Sequence, residues 1–180
     1  MSELRFPDPS VVLLVGAAGA GKSTFAARHF PSSAVLSSDA LRATIAGDPA
    51  DQSVNRQAFA ALHRALDRRL AAGLLTVVDA TNVTVAARRA IREIAARHGI
   101  PIVAVVLDLP PPIVHARNAG RTGRTVPEAA VTHHLGQLRN ALANGDLGAE
   151  GYAQVVRLRD PAEVDGLTVR LVPPDGAGDG

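Results

Sequence analysis

The apolar positions of the chain follow two rhythms that take turns. Residues 10–15 (SVVLLV), 74–81 (LLTVVDAT) and 100–109 (IPIVAVVLDL) are near-continuous apolar runs, and 34–38 (AVLSS) is a shorter one. Such runs predict strands covered on both faces, as in a parallel sheet. Between them the spacing becomes helical. A helix is expected from Ser23 to about His29, stopped by Pro31, and a short one over 39–47, closed by Gly47. After a polar loop, Val54, Ala58, Ala61, Leu62, Ala65, Leu66 and Leu70 recur on one face as far as Gly73. Further helices are expected over 85–98 with Gly99 as C-cap, from Pro110–Pro112 to near Gly120, and over 127–143 with Pro127 in its first turn. Residues 154–159 (QVVRLR) and 167–172 (LTVRLV) read as late strands. This order predicts an α/β domain over 1–172, a parallel sheet with helices on both faces. Residues 173–180 (PPDGAGDG) have the composition of a linker.

The first run leads straight into a glycine-rich turn. Gly16, Gly21, Lys22 and Ser23 fit the pattern G-x-x-x-x-G-K-[ST], placed between an expected strand and an expected helix, the context that a phosphate-binding P-loop needs. Glycines let backbone N–H groups turn inward on phosphate oxygens, and the helix start adds the positive end of its dipole. The candidate nucleotide contacts in this loop are Gly16, Gly19, Ala20, Gly21, Lys22, Ser23 and Thr24. The Lys22 ammonium suits the outer phosphates, and the Ser23 hydroxyl suits Mg²⁺.

Composition narrows the classes. Hydrophobic residues make up 47% of the 180, which excludes a wholly disordered chain, and the 3% of aromatics argues against a platform of stacked aromatic rings for single strands. With no cysteine, disulfides, thiolate metal sites and a Cys nucleophile are excluded, and a cytoplasmic protein is the simplest expectation. Of the nineteen basic residues Lys22 is the only lysine, and it falls where the cradle needs a compact ammonium rather than a planar guanidinium. The segment VVLLVGAAGA (11–20) mimics the core of a signal peptide, but Glu3, Pro7, Asp8 and Pro9 precede it and the P-loop follows it, which disfavours that reading. No apolar run is long enough to span a bilayer.

Three further stretches carry candidate chemistry. In SSDALR (37–42) Asp39 lies just past the end of the second strand, where open α/β sheets bind ligands, and it could take a proton from an attacking hydroxyl. Arg42 is three residues on, on the same helical face, and could hold an anion beside that hydroxyl. The alternative is a helix-capping Asp39 and a solvated Arg42. At the end of the third strand Asp79 is a candidate for Mg²⁺ or its waters, with Thr81 and Asn82 following as hydrogen-bonding tips; a simple helix start is the competing reading. Arg117, Arg121 and Arg124 cluster around GRTGRTV (120–126) and read as an arginine-rich lid over a triphosphate, or else as a basic helix end. RALDRR (64–69) and ARRAIRE (87–93) read as solvated helix faces, and the six histidines form no zinc-like set.

GAAGAGKSTFA, SSDALR, DQSV, LTVVDATNV and RNAGRTGR, in this order and spacing from about Val11 to Arg159, resemble the kinase domain of bacterial polynucleotide kinase-phosphatases, the end-healing enzymes of RNA repair. The resemblance implies transfer of the γ-phosphate of ATP or another NTP, with Mg²⁺, to the 5′-hydroxyl of an RNA or DNA end. It implies Lys22 and Ser23 on the nucleotide and metal, Asp39 as general base, and Arg42 near the acceptor phosphate. Arg117, Arg121 and Arg124 would form the lid, and Gln52 is a weaker acceptor-site candidate. In that family, phosphatase and ligase-like modules follow the kinase, and neither fits in 180 residues. Fusion to such modules and a homodimer are the assemblies it leaves open. The competing functions are a small-metabolite kinase, similar to gluconate or shikimate kinases, and a nucleotide-binding interaction module that transfers no phosphate.

Overall fold

The computed structural model describes residues 2–48, 51, 53–122 and 125–173. Its main sheet has five parallel strands, named here with the other elements in chain order: β2 (Val11–Val15), β3 (Val35–Ser37), β4 (Thr76–Asp79), β5 (Ile102–Leu107) and β6 (Gln154–Leu158), in the spatial order β3-β4-β2-β5-β6. β2 lies at the centre, in register with β4 on one side (Leu13 opposite Val78) and β5 on the other (Leu13 opposite Ala104). The chain leaves β2 toward one edge and later returns to the other side of it, so a crevice opens beyond the C-terminal end of β2.

Alternation along the strands builds two cores. Val12, Leu14, Val77, Val103 and Val105 belong to one buried cluster, whereas Val11, Leu13, Val15, Val78 and Val106 belong to the other. Helix α1 (Lys22–His29) contributes Phe25 and Ala26 to the first. Helices α3 (Asn55–Ala71) and α4 (Val85–Arg97) cover the second with Leu62, Leu66, Leu70, Ile91 and Ile94. A sheet buried on both faces needs strands without alternation, which is the pattern that the sequence shows. The remaining helices are α2 (Ser38–Ala46), α5 (Pro111–Ala119), α6 (Glu128–Ala143), α7 (Asp146–Ala149) and α8 (Pro161–Asp165). Among the described residues, no helix is long and apolar enough to cross a membrane.

Three elements were not expected from the sequence. β1 (Ser2–Pro7) pairs in parallel with β7 (Leu167–Val172) in a separate two-stranded sheet, from Ser2 opposite Leu167 to Pro7 opposite Val172. Among the described side chains of β1 only Phe6 is fully buried, so six residues with two apolar side chains carried too weak a pattern. β7 is a strand, as expected, but it stands outside the main sheet. α7 and α8 are single short turns, though α8 had a readable start: Asp160 accepts from the Glu163 N–H at 2.9 Å, ahead of Pro161. The expected strand over 74–81 is trimmed to Thr76–Asp79, because Thr81 turns out of the ladder to accept from the Gly16 N–H at 2.9 Å.

Two arginine-rich faces expected to be solvated each hold an exception, while Arg64, Arg68 and Arg89 are exposed as expected. Arg69 donates to Thr76 Oγ1 at 3.0 Å and to the Leu75 carbonyl at 2.8 Å, tying α3 to the start of β4. Arg88 is fully buried; α4 turns it inward rather than to solvent.

Candidate active site at the open end of the sheet

The loop between β2 and α1 closes on itself through glycine geometry. Gly19 and Gly21 have φ of 88° and 98°, in the left-handed region that favours glycine. At Gly19 a Cβ would also sit 2.6 Å from the Val114 carbonyl oxygen, so the loop lies directly against α5. Lys22, 8% exposed, donates from Nζ to the carbonyls of Gly16 and Ala17 at 2.9 Å each, folded over the loop that it serves. Ser23 Oγ donates to Asp79 Oδ2 at 2.7 Å, which joins the start of α1 to the end of β4.

A cavity of about 550 Å³ opens over this loop. Of the residues expected from the sequence, Gly19, Gly21, Lys22, Ser23, Thr24, Asp39, Arg42, Asp79, Thr81, Arg117 and Arg121 line it. Asp39, in the first turn of α2, is ion-paired with Arg42, whose Nη1 donates to Asn55 Oδ1 at 3.1 Å. Arg42 is buried, so the solvated-charge alternative does not describe it. The Asp39 side chain is 38% exposed, which leaves the carboxylate accessible to a reactant. Arg117 reaches the loop itself: a Cβ at Gly21 would lie 3.3 Å from its Nη1. Asn118, buried below, holds both backbone groups of Val126, donating to its carbonyl at 2.7 Å and accepting from its N–H at 3.1 Å, and so closes the base of the arginine loop. Gln52 and Arg124 lie outside the described residues.

Three candidates stand elsewhere. Asn82 is turned inward: it is buried, and its amide donates to the carbonyls of Leu14 at 2.8 Å and Ala80 at 3.3 Å. Its φ of 50° marks a turn, and its amide links the ends of β2 and β4. Gly16 and Ala20 belong to the wall of the loop rather than to the cavity lining: the Gly16 N–H is bonded to Thr81, and the Ala20 N–H to the Ala17 carbonyl at 3.2 Å. The cavity also takes Ser38 of the SSDALR stretch and residues that no motif indicated, among them Asn55, Phe59, Arg28, Val164 and Asp165. Arg28 and Asp165 are ion-paired at 2.9 Å, so the short α8 forms part of a wall.

The 80–83 turn is held from behind. Arg88 donates to the carbonyls of Asn82 and Val83 at 3.2 and 2.9 Å, and to both carboxylate oxygens of Glu150, the shortest at 2.6 Å. Burial pushes the Glu150 carboxyl up, but hydrogen bonds from Arg88 and from Tyr152 at 2.7 Å outweigh it and hold it below the usual carboxylate range. A carboxyl held low in the folded state contributes stability above its unfolded pKa and loses it as pH falls. Arg88→Met would leave Glu150 with its principal partner gone, and unfolding free energy measured in urea is expected to fall by about 3–5 kcal/mol. The double variant Arg88→Met/Glu150→Leu is expected to recover much of that loss.

The fold and the lysine-bearing loop define a P-loop kinase-like domain, a nucleotide-binding phosphotransferase fold. A family model described as an AAA domain matches residues 11–144, and the chain belongs to that family. No curated protein sequence matches it significantly. Among solved structures, a chain of the Pnkp1/Rnl/Hen1 RNA repair complex is similar with a TM-score of 0.62 and 21% identity over 77% of this chain. The match spans only 47% of that chain's own length. The APS kinase CysC of Mycobacterium tuberculosis is similar with a TM-score of 0.55 and 18% identity, over 89% of this chain and 94% of that one. A gluconokinase from Sinorhizobium meliloti gives 0.55 and 20%, over 89% and 88%. At these identities the likeness is one of fold. The fold implies ATP or a related nucleotide, with Mg²⁺ as its usual companion.

Proposed function

We propose that this protein transfers the γ-phosphate of an NTP to the 5′-hydroxyl of an RNA or DNA end. The observation that carries this reading is the Asp39–Arg42 pair, which faces the same cavity as Lys22 and Ser23. A 5′-terminal nucleotide presents a neutral hydroxyl and, a few bonds away, a phosphodiester. A carboxylate and a buried guanidinium three residues apart match those two groups. In the step, Asp39 accepts the hydroxyl proton as the 5′-oxygen bonds to the γ-phosphorus. The bond from that phosphorus to the β,γ-bridging oxygen breaks, and the NDP leaves. Lys22, Arg117 and Arg121 supply positive charge where the leaving phosphates gain negative charge. Ser23 Oγ and Asp79 Oδ2, hard oxygen donors 2.7 Å apart, suit Mg²⁺ together with phosphate oxygens. When bound, the ion neutralises phosphate charge.

A small-metabolite kinase is the second reading. A cavity of about 550 Å³ lies within the range of small-molecule sites, and a sugar acid would offer the same hydroxyl-plus-anion pair. Labelled phosphate transfer to a 5′-hydroxyl oligonucleotide, measured beside gluconate and adenosine 5′-phosphosulfate, separates the two. The oligonucleotide is expected to be phosphorylated, with affinity falling steeply with salt and little dependence on base sequence, since phosphate contacts dominate. Transfer to a small acid alone would replace this reading with the second.

A further inference from the structure

Phe59 is one of four phenylalanines and lines the cavity. The low aromatic content argued against ring stacking as the means of holding a strand, but composition counts rings without locating them. Phe59 is half-buried and, among the described residues, is a member of neither buried apolar cluster. It stands one helical turn along α3 from Asn55. Asn55 accepts from Arg42 at 3.1 Å, and Arg42 is ion-paired with Asp39. These contacts place an aromatic ring beside the groups that would receive a hydroxyl and its neighbouring phosphate. His63, a turn further on, meets the ring at a 52° tilt with centroids 6.5 Å apart and backs it along α3.

Resting on the polynucleotide reading of the same site, we propose that Phe59 is the stacking surface for the terminal base of the acceptor. Through it the site selects a nucleoside end over an open-chain acid. Every base has a π-face, so one ring adds affinity without reading sequence. That agrees with an acceptor otherwise held by phosphate contacts.

The test compares oligonucleotides that carry an ordinary or an abasic 5′-terminal residue, with gluconate as a third acceptor. The protein, Phe59→Leu and Phe59→Tyr are each assayed for acceptor KM, kcat and NTP KM, with a thermal melt to confirm folding. In the unaltered protein, the abasic end is expected to raise acceptor KM by about tenfold or more. Phe59→Leu is expected to raise KM for the ordinary end by about as much, to leave the abasic KM and the NTP KM unchanged, and so to abolish the preference. Phe59→Tyr is expected to restore it. Transfer to both oligonucleotides with equal KM would overturn the stacking role alone, as would a base preference that survives undiminished in Phe59→Leu. No transfer to either oligonucleotide, with transfer to gluconate, would overturn the polynucleotide reading and the stacking role together.

Discussion

Lys22→Ala is expected to lower phosphate transfer by roughly 10²–10³-fold or more, the loss typical of removing one preorganised charge partner of a developing anion. NTP binding should weaken with it. Lys22 is the only ammonium in the chain apart from the N-terminus, and its Nζ already lies against the Gly16 and Ala17 carbonyls at the centre of the loop. Lys22→Arg is not expected to rescue, because a planar guanidinium needs room and directions that the folded loop does not offer. The measurement is labelled transfer beside nucleotide titration, with a thermal melt to show that the fold survives. Unchanged transfer in Lys22→Ala would remove the phosphate-cradle reading of this loop.

Asp39→Asn is expected to lower transfer by about 10²–10⁴-fold, the usual contribution of a general base, while Mg-nucleotide affinity changes little. The size of the side chain is kept and only the proton acceptor is lost. The separation of the two effects is what makes the test sharp: the proposed nucleotide contacts lie with Lys22, Ser23 and the loop backbone, whereas Asp39 stands on α2. Arg42→Ala should raise acceptor KM as well as lower the rate, since in the proposed site its guanidinium, paired with Asp39, is the group that holds the acceptor anion. If Asp39→Asn transfers at the wild-type rate, the base lies elsewhere and Asp79 is the next candidate. If it loses nucleotide binding in proportion to rate, Asp39 belongs with the metal and nucleotide groups instead.

Much of the site could be read from local sequence because local rules place it. A P-loop needs a strand, a glycine turn and a helix within a few residues, so Gly19, Gly21, Lys22 and Ser23 are adjacent in the chain as well as in space. Asp39 and Arg42 are neighbours for the same reason, being one turn of α2. The contacts of Asn82 were not legible, because an asparagine after a strand end looks alike whether its amide faces a ligand or a neighbouring carbonyl. Only the approach of Leu14, 68 residues away, decided it. Arg88 was misread for a similar reason: on a helical wheel it resembles its exposed neighbours, and its partner Glu150 is 62 residues on. Phe59 carried no signal, since one aromatic in a long amphipathic helix is usually core.

The sequence by itself determined the α/β layering, since strands apolar on both sides must be covered on both sides, and it determined the phosphate loop, whose chemistry is contained in eight consecutive residues. The tertiary structure alone decided which strands are neighbours, because the order β3-β4-β2-β5-β6 depends on crossovers that leave no local trace. It alone paired the two ends of the chain as β1 and β7, a parallel contact between segments some 165 residues apart. It also brought Asn55 and Phe59 of α3 and Asp165 of α8 to one cavity, for a cavity wall is assembled by packing and not by spacing along the chain.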